Sequence, residues 1–198
     1  MNATATVPTP IVPTSTGVPA KGESLRWDLL ALERTAVRPH TSAPLRLRGS
    51  FEFRAPPEIV FERITDPKLI AAWFGMVRGG QLDHAESVTP GAWGPGSKRT
   101  CQTLGMGDLH ETILHYDAPY ACVYNVKNIM MPVKNHAALM VVEPVGEGGS
   151  RLHWNQYFDF KGVVMRHIFP SMMVAMMNKG LANLVAELGG TPSKAVLL

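Results

Sequence analysis

The sequence predicts an α+β fold: a curved antiparallel sheet of about six or seven strands wrapped around one long C-terminal helix, with two short helices after the first strand. Three observations predict it. Segments from "LRLRGSFEFR" onward alternate apolar and polar residues with a period of two, as strands wetted on one face do. The turns between later segments, "GMGD", "DAP" and "GEGGS", are short, and short returns join antiparallel neighbours. Only the last apolar pattern, from about Val163 to Leu188, is long enough to cover the apolar face of such a sheet.

The elements follow in order. Residues 1–22 are rich in Pro, Thr, Ala and Val and read as a flexible or extended arm. A short helix is expected in "SLRWDLLALERTAV", with Leu25, Leu29, Leu32 and Ala36 on one stripe and Ser24 as its cap. It is too short to stand alone. It docks either on the rest of the chain or on a partner. Pro39 and Pro44 then break the chain. Residues 1–44 thus form an N-terminal extension, 45–190 the main domain and 191–198 a tail.

The main domain opens on the strand at Leu45. In "PPEIVFERI", a proline at the first turn and the spacing of Ile59, Val60, Arg63 and Ile64 mark a helix. In "DPKLIAAWF", Asp66 is an N-cap and Pro67 the first helical residue of a second. A short strand over Met76 to Leu82 and a loop in "TPGAWGPGSK" precede "KRTCQTL", "DLHETILHYD", "YACVYNVKNI", "HAALMVVEPV" and "SRLHWNQYFDF", all read as strands. In the final helix Phe169, Met173, Met177, Leu181, Leu184 and Leu188 recur at spacings of three and four, and Gly189, Gly190 and Pro192 end it.

Composition narrows the function. The chain has 198 residues, 45% hydrophobic and 18% charged, so it can bury a real core. The net charge is +3 with scattered basic residues and no basic run interleaved with aromatics, which argues against nucleic-acid binding. Cys101 and Cys122 form no Cys-x-x-Cys and are expected as reduced, small apolar strand residues. The N-terminus has no secretory pattern, and no stretch approaches the roughly 18 apolar residues of a membrane span. The expectation is a soluble cytoplasmic protein with no cofactor.

"GDLHETILHYDAP" raises the question of a metal. On a strand, Leu109, Glu111, Ile113 and His115 point one way and His110, Thr112, Leu114 and Tyr116 the other, so the two histidines share no face. On a helix, five residues turn through about 500° and leave them about 140° apart. No metal is expected. Glu111 shares its face with Leu109 and Ile113, where a carboxylate is costly unless paired or protonated. It is either a structural ion pair, with Arg99 of the preceding strand as a partner, or a general acid/base or polar anchor.

Other candidates follow from strand parity. Cys122, Tyr124, Val126 and Asn128 share a face, and Tyr124 and Asn128 offer hydrogen bonds to a ligand carbonyl. Leu152, Trp154, Gln156 and Phe158 share another, with Trp154 as core, ligand platform or both. Of Met172, Met173, Met176 and Met177, the pair Met173 and Met177 is expected inward, as an adaptable cavity wall or as core. His136, His153 and His167 are isolated, with His153 outward.

Several motifs in order, "APPEIVFERITDPKLIAAWF" with Asp66, Pro67 and Trp73, "GPGSKRT" with Gly96 and Arg99, "HETILHYDAPYACVY" with Glu111, Asp117, Pro119 and Tyr124, and "GGSRLHW" ending in Trp154, resemble the helix-grip fold of the SRPBCC superfamily, which includes START domains. The likeness is strongest to its polyketide cyclase/dehydrase branch and covers about Leu45 to Leu188. It implies a deep, mostly apolar cavity between sheet and helix that takes a hydrophobic, cyclic or polyketide-like small molecule. If the protein is an enzyme, Glu111 and Tyr124 would shuttle protons for cyclisation or dehydration, in the manner of a cyclase, aromatase or dehydratase. Arg99, Cys122, Asn128, Trp154, Gln156, Met173, Met177 and Trp73 would line the ligand site. The alternatives are a non-catalytic carrier or sensor of hydrophobic ligands, and a protein whose N-terminal helix recruits a partner or a second copy.

Overall fold

The structure is a computed structural model that describes residues 28–163 and 165–198. Helix α1 (Leu29–Leu32) begins at Asp28, whose carboxylate accepts the Leu30 N–H at 2.9 Å. Asp28 therefore takes the capping role expected of Ser24, which with Leu25 lies outside the described residues. A π-helical turn over Glu33–Val37 follows. The main body then runs β1 (Leu45–Phe53), α2 (Pro57–Thr65), α3 (Pro67–Trp73), β2 (Val77–Asp83), β3 (Lys98–Thr103), β4 (Leu109–Asp117), β5 (Ala121–Lys127), β6 (Val133–Val145), β7 (Gly149–Phe160) and α4 (Met165–Leu188). Asp66 caps α3 by accepting the Lys68 N–H at 2.8 Å, and Pro67 occupies its first turn, where a missing N–H costs nothing.

The sheet is antiparallel, in the order β2-β3-β4-β5-β6-β7-β1-β8. It has nine strands, more than the six or seven expected, because residues 190–198 are not a loose tail. They carry β8 (Gly190–Thr191) and β9 (Val196–Leu197), which both pair with β1. Gly189 turns the chain out of α4 with φ +71, a conformation that favours glycine.

The two sheet faces bury different sets of residues. The concave face (Cys122, Tyr124, Ala138, Met140, Val142, Leu152, Trp154 and Phe158) packs with α2, α3 and the Phe169, Met173, Met177, Leu181 and Leu184 stripe of α4. The convex face (Ala121, Val123, Ala137, Leu139, Val141 and Tyr157) is covered by Leu32, Ala36 and Val37 of the N-terminal segment. That segment is fastened by polar contacts as well. The Tyr157 hydroxyl donates to Glu33 Oε2 at 2.9 Å, and the Arg38 guanidinium lies 5.0 Å above the Tyr157 ring. Arg38 also pairs with Glu33 at 2.5 Å. The short N-terminal helix thus docks on its own chain.

A bulge corrects the face assignment in β4. The register slips between Ile113 and His115, so that His115 stands opposite convex-face Val123 and Tyr116 opposite concave-face Cys122. His115 leaves the Glu111 face, and Tyr116 joins the concave side beside Phe61 and Trp93. The opposite-face argument about His110 and His115 therefore fails. Distance separates them instead, because five residues of strand span about 16 Å.

Candidate functional site

Between the concave face and α4 lies a cavity of about 80 Å³, within about 600 Å³ of unfilled space that includes its mouth. The wall is mostly apolar: Ile64, Ile70, Trp73, Val77, Leu109 and Val126 from the sheet and short helices, with Met173, Met176 and Met177 from α4. Its volume is about half that of an engineered cavity known to take benzene. The deep chamber that the resemblance implies is therefore nearly closed here. Four methionines, Met131, Met173, Met176 and Met177, bound it, and unbranched thioethers repack at low cost. Gly180 of α4 lets the Phe74 ring lie against the helix, since a Cβ there would sit 2.2 Å from Phe74 Cδ2.

The polar centre is built by two neighbouring strands. Arg99 of β3 and Glu111 of β4 are cross-strand partners, and the Arg99 Nε donates to Glu111 Oε2 in a salt bridge that is almost fully buried. The Arg99 Nη1 donates to Ile64 O at 3.1 Å and Thr65 O at 2.7 Å, so the guanidinium also ties down the end of α2. It lies 5.0 Å above the Tyr124 ring. Burial works against its charge, but Glu111, together with Cys101 and Tyr124, more than offsets this and holds its pKa above the ordinary value.

The surrounding groups are held neutral. Burial first, then the Glu111 charge, push the Cys101 thiol up to about 12 and raise the Tyr124 phenol well above its usual range. The Cys101 Sγ lies 3.8 Å from Glu111 Oε2. His136 is buried, and its pKa is pushed down to about 4 by desolvation. Its Nδ1 accepts the Val126 N–H at 3.2 Å, which leaves the proton of the neutral ring on Nε2.

Two wall residues carry unsatisfied polar atoms. Trp154 Nε1 and Gln156 Oε1 are buried and make no hydrogen bond among the described residues. Trp154 is within reach of Tyr124 and Gln156 of His136, but neither orphan atom attains hydrogen-bond geometry. The other end of the Gln156 amide donates to Met177 Sδ at 3.7 Å. Buried groups of this kind are uncommon, because leaving one unpaired costs about 1–3 kcal/mol.

The structure brings together Arg99, Glu111, Tyr124, Trp154, Gln156, Met173, Met177 and Trp73 around the cavity. Cys122 is buried on the same face but is not part of the wall. Asn128 is displaced. β5 ends at Lys127, and the Asn128 amide is used in loops, donating to Met106 O and Asp108 O and accepting from the Met130 and Met131 N–H groups. Of the wall residues beyond the sequence reading of the site, two carry titratable groups, Cys101 and His136. The sequence reads Cys101 as a small apolar strand residue, yet it shares strand parity with Arg99. The sequence reads His136 as isolated, yet it shares parity with the buried concave-face residues Ala138, Met140 and Val142.

Comparison with known proteins agrees with this architecture. Similar solved structures include a protein from Thermobifida fusca (24% identity, TM-score 0.58, covering 73% of this chain and 93% of that one). XoxI from Bacillus cereus has 17% identity, a TM-score of 0.58 and coverage of 71% and 93%. An HSP90 activator from Plasmodium falciparum has 17% identity, a TM-score of 0.51 and coverage of 76% and 100%. These likenesses show the fold. No protein of curated function matches the sequence. Among the described residues no helix is long and apolar enough to cross a membrane. A family model described as polyketide cyclase/dehydrase and lipid transport matches residues 44–189. Family membership supports hydrophobic-ligand binding in general. On a match that takes in the whole of the cavity wall, the chain belongs to the polyketide cyclase/dehydrase and lipid transport family.

Proposed function

We propose that the protein is a container for a small, uncharged, ring-sized hydrophobic molecule with one hydrogen-bonding substituent, and that it binds this guest without acid–base chemistry. The observation that carries the reading is the pair of orphan atoms, Trp154 Nε1–H and Gln156 Oε1, in an otherwise apolar wall. A hydroxyl or carbonyl on the guest would accept from the indole, and a hydroxyl would also donate to the amide. Affinity comes from apolar burial, and orientation from these two atoms. A ring-sized guest enters only if the α4 methionines shift to enlarge the cavity, and a larger, polyketide-like one only if they swing fully aside.

Catalytic proton transfer by Glu111 and Tyr124 fits the wall less well. Glu111 is engaged by Arg99, and the Tyr124 phenol is held protonated far above neutral pH. Both act as fixed polar wall in this reading.

Binding of phenol and of benzene, followed by protein-observed NMR, tests the reading. Phenol should bind about tenfold more tightly than benzene and should shift the Trp154 indole N–H resonance. Equal affinity for the two, or binding that leaves that resonance unmoved, overturns it.

A further inference from the structure

The cavity wall reaches the outside at one end of the molecule, and the residues around that end are unlike the rest of the surface. Met131 and Met176 are wall residues that are only partly buried. Beside them, in the segment joining β5 to β6, Ile129 is 96% exposed and Met130 63%. Across from them, the approach to α4 presents Val163, 70% exposed, and α4 itself Met172, 48% exposed. The Lys161 N–H donates to Pro132 O at 2.7 Å and its Nζ to Met131 O at 3.3 Å, so the two segments are held side by side. Large apolar side chains this exposed, gathered at one place, mark a surface that meets an apolar phase.

The same end is basic. Lys127, Lys134 and Lys161 share one surface depression with Ile129. Lys134, Arg166 and His167 share the adjoining one with Val163, and Arg46 lies in it too. Of the acids nearby, Asp159 accepts from Asn135 Nδ2 at 2.8 Å, and Asp108 adjoins the tip, its carbonyl accepting from Asn128 Nδ2 at 2.7 Å. Cations thus predominate around a protruding apolar tip. A second copy of this chain would bring like charges together, whereas an anionic bilayer matches both properties: lipid charge for the cations, acyl chains for Ile129, Met130 and Val163.

We propose that this end is a docking surface for anionic lipid bilayers, which the protein uses to take up or release its guest directly from the membrane. The inference stands on the surface around the mouth and is independent of which guest the cavity holds. Docked this way, the mouth opens toward the lipid and the guest need not cross water.

The test is co-sedimentation of the full chain with phosphatidylcholine vesicles, with and without about a third phosphatidylserine. Binding should require phosphatidylserine and weaken as salt is raised. Ile129→Asp should reduce it about tenfold. Lys127→Ala and Arg166→Ala should each reduce it about fivefold. All three side chains are exposed, so circular dichroism of each variant should match the parent. Phenol affinity should also be unchanged, which separates this proposal from the container reading. No sedimentation with either vesicle, equal binding to both, or binding indifferent to Ile129→Asp would overturn it. So would self-association through this end, seen as concentration-dependent mass lost in Ile129→Asp.

Discussion

The two faces of the central sheet are made by alternate residues of the same strands, yet they solve opposite problems. On the convex side, small residues, Ala121, Ala137, Val123 and Val141, lie flush beneath a short helical segment, with Leu139 and Tyr157 between them. Small side chains let the covering backbone approach and fill the space. On the concave side, Trp154, Tyr124 and the α4 methionines stand off one another around a charge pair and leave a hollow. Both faces are packed with apolar side chains, but only the concave one gathers them around a buried charge pair and leaves a hollow.

The largest effect should come from cutting the charge pair on the hollow side. Arg99→Leu leaves Glu111 buried without its cation and should cost about 3–5 kcal/mol in urea unfolding. Replacing both residues by Leu should recover most of it. If the single change is mild, the pair does not organise that face. Next, on the packed side, Leu139→Ala should cost about 3 kcal/mol, because the side chain is buried in the close-packed cluster of Leu32, Ala36, Val37 and Tyr157 and leaves a cavity there. On the hollow side, Met177→Ala should cost about 2 kcal/mol, because the methionine already borders empty space. Equal costs at these two positions would break the contrast between the faces.

The smallest effect is a pH dependence. His136 has its folded pKa pushed down to about 4, and burial lowers that of His115 as well, against an unfolded value of 6.5. Between these values the unfolded chain binds more protons, so stability is present above 6.5 and is lost as pH falls below it. From pH about 7 to about 5.5 the His136 share is about 1 kcal/mol, read as a falling melting temperature. His136→Gln should flatten the slope, and an unchanged slope would mean that the ring is not sealed behind the wall.

Much of this was legible in the sequence. Period-two strands, short turns and one long apolar helix were enough for the architecture, and Asp66-Pro67 marked α3 to the residue. Parity puts Glu111, Tyr124, Trp154 and Gln156 on faces expected to point inward, while Arg99 enters only as a candidate partner of Glu111 and through the family resemblance. What parity cannot register is a bulge. The slip after Ile113 moved His115 to the other face, and the end of β5 at Lys127 turned Asn128 into a loop fastener. The nature of the hollow was equally out of reach. Whether methionines fill a space or border one depends on distances between elements far apart in the chain. The convex cover was half visible: the stripe of Leu29, Leu32 and Ala36 announced a docking helix, but nothing local said which surface would receive it.

The last residues have a consequence beyond their size. Without β8 and β9, strand β1 would offer a row of bare amide and carbonyl groups along one margin of the sheet. The Leu198 N–H, which donates to Arg46 O at 3.0 Å, helps to cover that row. Residues 190–198 therefore shield a sheet margin that would otherwise be open to pairing with a strand of another chain.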